Sequence, residues 1–455
     1  MTTSQHRKWL GGAMVAALMA ISAPVDAETL GSALVSAYKN SDLLDQNRAV
    51  LRAADEDVAG AVSTLRPVIS WVLQSQYADT ILQGESTTNT ARLNLDWTIY
   101  DFGRSQLGIL ISKETVLATR QALVSIEQNV LLDAVQAYMD LRRAIDTVNI
   151  NETSVRVIGE QLKAAQDRFD VGEITRTDVA LAEARLASTR AGLAVAQGDL
   201  EVARAAYKAA VGHFPDRIER IPPSPALPKS LQEAQSIALR LHPAILEAQH
   251  QAKVADLQVE AAAAERRPTL GANLRVDDDL DGGTNNYATL QLSQTIYAGG
   301  KLSSVHRKAI AGRDAARAAL ARTGVLIAQQ VANAWSGIEV AGAQITAIDR
   351  QIVAAQAAYD GVQEEAKLGS RTTLDVLDAE RDLLQAKSDR VSAEANLQVA
   401  KYSLLASMGL LTVDNLKLGI PTYDAEAYYN AVKTAPLTSV QGQSLDRVLK
   451  AIGKN

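Results

Sequence analysis

Two stretches of the chain alternate apolar and polar residues with period two. In the first, Ala91, Leu93, Leu95, Trp97 and Ile99 alternate with Arg92, Asn94, Asp96, Thr98 and Tyr100. In the second, Ala288, Leu290, Leu292 and Ile296 alternate with Tyr287, Thr289, Gln291, Ser293 and Thr295. Successive side chains of a strand point to opposite faces, so each stretch predicts a strand with one apolar face. Leu93, Leu95, Trp97, Ile99, Leu290, Leu292 and Ile296 fall on that face. A partner run opens just after a proline in each case, Val68 to Leu82 and Thr269 to Leu280. The polar segments Gln83 to Asn89 and Asp281 to Asn286 read as the hairpin loops, which puts hairpins at about 67–101 and 268–297. About ten residues per strand is the length a tilted strand needs to cross a bilayer.

Between and after these hairpins the pattern changes to seven. Leu117, Val124, Leu131, Tyr138 and Ile145 recur every seventh residue, as do Val331, Ile338, Ile345, Ile352 and Tyr359. A sustained seven-residue apolar repeat predicts left-handed coiled coil. No proline interrupts Ser105 to Asp170 or Leu302 to Gly369, so each stretch can be one helix on the order of 100 Å long. Gly172 and Gly369 mark turns, after which a second helix returns to Gly212 or Gly409.

The chain is one unit written twice. Arg66-Pro67 recurs as Arg267-Pro268, and the segment Tyr100 to Arg104 as Tyr297 to Lys301. Val171-Gly172 with Asp178 recurs as Leu368-Gly369 with Asp375, and Val211-Gly212 as Met408-Gly409. The first repeat covers 28–212 and the second 231–411. Residues 213–230 hold Pro215, Pro222, Pro223, Pro225 and Pro228, a composition that reads as an extended linker. Residues 412–455 form a tail without a counterpart.

Composition narrows the class. Arg7 and Lys8, the apolar run Trp9 to Ala23 and Val25-Asp26-Ala27 predict a signal peptide over 1–27 that is cleaved on export. There is no cysteine, which removes disulfides, thiol nucleophiles, zinc–thiolate sites and lipid attachment through an N-terminal Cys. A net charge of −6 offers no basic bulk for nucleic acid. No later segment is long and apolar enough for a spanning helix, so any membrane crossing falls to the strands. Four strands cannot close a barrel, because about eight is the smallest closed transmembrane form. Several chains would have to complete one barrel, with the helices continuing it as a multi-chain cylinder.

With these residues in place the chain resembles the TolC-like outer-membrane efflux and type I secretion channels, from about Leu30 to Leu411. The resemblance rests on the duplication, the two Arg-Pro steps, the Tyr100-Asp101-Phe102-Gly103-Arg104 and Tyr297-Ala298-Gly299-Gly300-Lys301 segments, and Gly369 to Ala379. It implies a mainly α protein with β: long antiparallel coiled-coil helices plus four transmembrane strands per chain, twelve in a homotrimer. It implies an outer-membrane exit duct extending through the periplasm of a Gram-negative-type cell. Its partners would be a periplasmic adaptor and an inner-membrane ABC or proton-driven pump. Without an N-terminal Cys the chain is similar to the non-lipidated branch. The alternative reading is a periplasmic coiled-coil scaffold or adaptor with a small soluble sheet.

The resemblance also assigns a gate. Asp375 and Asp378, three apart, match the paired aspartates that ring the family's periplasmic entrance; from spacing alone they equally suit a helix start. Arg371 matches the family's gate arginine, and Thr177 and Asp178 its partners on a neighbouring coil. Where the family carries a Tyr five residues before that arginine, this chain has Ala366. Asp277, Asp279, Asp281 and Gly282 imitate the start of a calcium loop, but the twelfth position is Ala288, so an acidic hairpin loop is expected instead. Gly299-Gly300-Lys301 lacks the rest of a phosphate loop, and the histidines form no ligand pattern. No catalytic, cofactor or metal site is expected.

Overall fold

The computed structural model describes residues 27–81, 84–215, 217–219, 225–280 and 282–435. The expected signal peptide therefore lies, but for Ala27, outside the described residues. The elements run α1 (Leu30–Asn40), α2 (Asp42–Ser63), β1 (Val68–Thr80), β2 (Gly84–Tyr100), α3 (Arg104–Asp170), α4 (Arg176–Val211), α5 (Leu231–Leu241), α6 (Pro243–Ala264), β3 (Thr269–Asp279), β4 (Gly283–Ser293), α7 (Lys301–Lys367), α8 (Thr373–Ser407) and α9 (Ala425–Val432). Each half thus supplies two shorter helices, a hairpin, a very long helix and a returning helix, in that order. The long helices α3 and α7 have 67 residues each. At about 1.5 Å per residue both reach about 100 Å.

The four strands form one antiparallel sheet in the order β1-β2-β3-β4, so the two hairpins meet through β2 and β3. Directly opposed residues share a face. Ile69, Leu95 and Leu274 stand in one row, Trp71 and Leu93 in the next, and Leu270 and Leu292 close the far side. The other face carries Asn94, Asp96, Asn273 and Thr289. There the Asn273 amide donates to Asn94 Oδ1 and Asp96 Oδ1, each at 2.7 Å. Large apolar side chains on the first face are open: Ile69, Trp71, Leu73, Leu290 and Leu292 are each more than half exposed.

Three sequence expectations for the strands need correction. β2 begins at Gly84 and β4 at Gly283, so Glu85 to Asn89 pair with β1 and Gly283 to Asn286 with β3 instead of forming loops. Those polar residues lie past the apolar rows, where a strand has no apolar face to signal itself. Second, a bulge between Thr98 and Tyr100 sets Tyr100 opposite Leu270, so Ile99 leaves the simple alternation. Third, β4 stops at Ser293, and Ile296 is an exposed residue beyond the strand. Gln294, at the apolar place of the alternation, turns its amide to the Arg266 carbonyl at 3.1 Å.

The main core lies midway along α3 and α7, where α1, α5 and the C-terminal ends of α4 and α8 meet them around Leu34, Leu131, Tyr138, Tyr207, Val331, Leu404 and Met408. The Tyr138 hydroxyl donates to the carbonyls of Glu28 and Glu219, tying the linker to the chain's N-terminal end. Gly409 ends α8 at φ +78°, and a Cβ there would stand 2.8 Å from the His242 Cα, so only glycine allows this approach. The tail runs back over α2 and α3: the Tyr423 amide donates to the Tyr38 hydroxyl, and α9 packs beside Leu51 and Val58. Coverage along the heptad seams is uneven. Leu131, Tyr138 and Val331 are buried, whereas Ile338, Ile345 and Ile352 are half-buried within one chain.

Candidate functional site

The far ends of the two helical hairpins repeat one piece of local chemistry. Gly172 and Gly369, both at φ +79°, turn the chain after the long helices. A threonine then caps each returning helix. In α4 the Thr175 amide and hydroxyl donate to Asp178 Oδ2, and Thr175 Oγ1 accepts the Asp178 amide. In α8 Thr372 and Asp375 do the same at 2.9, 2.8 and 3.3 Å. These reciprocal bonds satisfy orphan amides of a helix start. Two donors from Thr372 hold the Asp375 carboxyl below its ordinary value, and Thr175 does so for Asp178. Asp375 is therefore a capping residue in the single chain, and it stays ionised at neutral pH.

The expected tether is not made within one chain. Arg371 Nε instead pairs with Glu365 at 2.8 Å, both side chains half exposed, and Thr177 is exposed. Other residues join the two hairpins. Arg185 of α4 donates to the Leu377 carbonyl at 3.2 Å and to Asp378 Oδ1 at 3.3 Å. Leu377 itself sits in an apolar cluster with Ile158 and Ala165 of α3 and Ala182 and Leu186 of α4. Arg168 Nη1 reaches the Ala366 carbonyl at 3.4 Å, and Ala366 is buried. The small side chain that departs from the family pattern thus lies inside a seam between the hairpins.

At the opposite end, the motif residues knit sheet to helices. Asp101 Oδ1 and Oδ2 accept from the amides of Gly103 and Ser105, capping α3, whose N-terminal Gly103 offers no side chain. Arg104 donates to the carbonyls of Ala264, Glu265 and Arg267, and Arg267 donates to the Phe102 carbonyl at 2.6 Å. The first Arg-Pro works differently, since Arg66 donates to the carbonyls of Thr434 and Ala435 in the tail. Asp277 is held by two guanidinium groups, Arg92 at 2.8 Å and Arg275 at 3.0 Å, so its charge is already balanced. Asp281 lies outside the described residues. Among the described residues no group of three or more His, Asp or Glu is placed to hold a metal ion, and no helix is long and apolar enough to cross a membrane.

The sequence model of the outer membrane efflux protein family matches residues 33–213 and 235–410. The chain belongs to that family. It is 37% identical over 413 residues to the outer membrane efflux protein BepC of Brucella suis biovar 1 (strain 1330), covering 89% of this chain and 91% of that one. It is 25% identical to the outer membrane protein TolC of Escherichia coli (strain K12), covering 94% and 92%. A crystal structure of CusC superposes with a TM-score of 0.75 at 19% identity, covering 83% of this chain and 91% of that chain. The TolC-like resemblance read from the motifs is borne out, and with it the outer-membrane location and the role of exit duct. Family members are channels, not enzymes. The scaffold alternative gives way to this assignment.

Proposed function

We propose that three copies of this chain close one twelve-stranded barrel in the outer membrane and continue it as an α-helical tunnel across the periplasm. The observation that carries this is the sheet: four strands with one exposed apolar face and two unpaired edges, β1 and β4, in a single chain. Such edges cannot face hydrocarbon, because every backbone group in lipid needs an internal partner. Pairing β4 of one protomer with β1 of the next removes both edges at once. Leu93, Leu95, Trp97, Leu290 and Leu292 then face lipid, with Asn94, Asp96 and Asn273 in the lumen. Exposed valines on α4 (Val195, Val202) and α7 (Val325, Val340, Val353) supply apolar surface for neighbouring protomers.

The tips form the periplasmic entrance. Asp375 and Asp378 of three chains make a ring of six carboxylates, which favours cations and is open to block by multivalent ions. Asp375 suits this role because its cap keeps it charged. Arg371 lies on the exposed tip, where Thr177 and Asp178 of a neighbouring protomer can compete with Glu365 for it. Energy comes from an inner-membrane ABC or proton-driven pump coupled through a periplasmic adaptor, as in tripartite export of small molecules or proteins. Planar-bilayer recording tests the reading: the purified protein should give discrete cation-selective channels blocked by multivalent cations. A preparation that inserts no channels would refute it.

A further inference from the structure

One titratable group near the tips has no part in the gate described so far. Glu380 of α8 is 4% exposed in the isolated chain, before any neighbour is added. It follows Val376 and precedes Leu383 on one buried stripe of the helix. Its Oε2 has no hydrogen-bond partner. Its repeat counterpart, Glu183 of α4, is exposed, so the duplicated fold does not require an acid to be buried there. The charged and titratable groups around it come from each packed helix. Arg185 faces it from α4, and Tyr359 from α7. Tyr359 is bonded to Gln161 of α3 and lies in the field of Glu160 and Asp360. On α8 itself, Asp378 sits beside Arg381.

Arg185 spends its Nη2 on the Leu377 carbonyl and Asp378, leaving Glu380 without a bonded cation. An unpaired buried carboxylate is strongly disfavoured, whereas the neutral acid fits the site. Ionisation would draw Arg185 away from Leu377 and Asp378 or draw water into the seam. Either outcome breaks the bond between the two hairpins. We propose that Arg185, Asp378 and Glu380 form a proton-responsive latch between the two coils of each protomer, closed when Glu380 is protonated. The latch rests on the channel reading and takes the place in this chain of a tether at Ala366.

Burial pushes Glu380 up from 4.5 to about 7 in the closed seam, with Arg185 opposing. If opening returns Glu380 to an ordinary carboxylate, proton linkage favours the closed seam fully below about pH 4.5. That preference is lost as pH rises through about 7. One proton per protomer limits the change in open-to-closed ratio to about tenfold per pH unit for each protomer that opens. Asp375 is already ionised across this window and does not contribute.

The test is single-channel recording of the reconstituted full-length protein from pH 5 to pH 8. The parent should gain conductance with rising pH. Glu380→Gln should stay low and flat, because its neutral amide mimics the protonated acid. Arg185→Gln should conduct more at every pH and move the rise to higher pH, with Arg185→Lys in between. A pH response that persists unchanged in Glu380→Gln, or unaltered conductance in Arg185→Gln, overturns the latch and leaves the channel standing. Failure of the parent to form any channel overturns both.

Discussion

Leu95→Arg probes where the sheet sits. Leu95 stands opposite Ile69 on one side and Leu274 on the other, in the middle of the apolar face. From Ala91 to Tyr100 that face extends nine steps, about 30 Å along the strand at about 3.3 Å per residue. A tilt of about 40° reduces it to about 23 Å along the membrane normal, close to the roughly 25 Å apolar band of outer-membrane barrels. Leu95 lies four steps from one end and five from the other, hence near the midplane. An arginine there costs roughly 2–4 kcal/mol per chain, and about three times that in a trimer if the sites are independent. The control is Thr289→Arg at neighbouring height on the polar face, opposite Asn273. It is a cleaner control than Asn94, whose Oδ1 accepts the Asn273 amide. Both variants would be expressed at matched levels, and the fraction of heat-modifiable trimer in outer-membrane extracts measured. Leu95→Arg should lose most of its trimer while Thr289→Arg keeps it. Equal yields, high or low, would mean that the apolar face does not meet lipid.

Replacing both Asp375 and Asp378 with Ala should relieve block by multivalent cations in planar bilayers while leaving the trimer intact; undiminished block would place the acidic ring elsewhere. Arg371→Ser should raise conductance if neighbouring protomers use that side chain as a tether, and an unchanged value would leave it as Glu365's partner only. Asp55 is fully buried on α2 with neither oxygen bonded, and burial pushes it up to about 6 against the opposing charge of Arg120. A raised carboxylate supports the fold below about pH 4 and loses that contribution as pH rises through about 6. Asp55→Asn should therefore gain melting temperature over the parent as pH goes from 4 to 7, in thermal unfolding of the detergent-extracted protein. A difference that does not change with pH would show that Asp55 ionises freely.

The helices were legible because their signals are local. Proline-free stretches between Gly103 and Gly172, and between Gly300 and Gly369, fix both ends of α3 and α7 to within a residue or two. Strand ends are less so, since polarity alone makes Glu85 to Asn89 a loop and alternation alone extends a strand to Ile296. A hairpin register set by pairing, Thr80 with Gly84, overrides that reading. At the tips the motif named Asp375 and Asp378 but not Arg185 or Glu380. Their meeting depends on how two coils, far apart in sequence, lie against each other. A signal was nonetheless present: an acid at the buried place of a helical stripe, Val376-Glu380-Leu383, as in Leu51-Asp55-Val58. The heptads of α7 are legible as a pattern, yet Ile338, Ile345 and Ile352 are half-buried in one chain, an apolar surface that the proposed neighbouring protomers would cover.

The mass of the detergent-solubilised particle, corrected for bound detergent by light scattering, tests the central claim most directly. Four strands per chain and two open sheet edges call for several copies in one closed barrel, and the proposed count is three. A single species of three chains, stable to dilution in mild detergent, is the result this account predicts. A stable monomer would leave two strand edges unpaired in the membrane and contradict it.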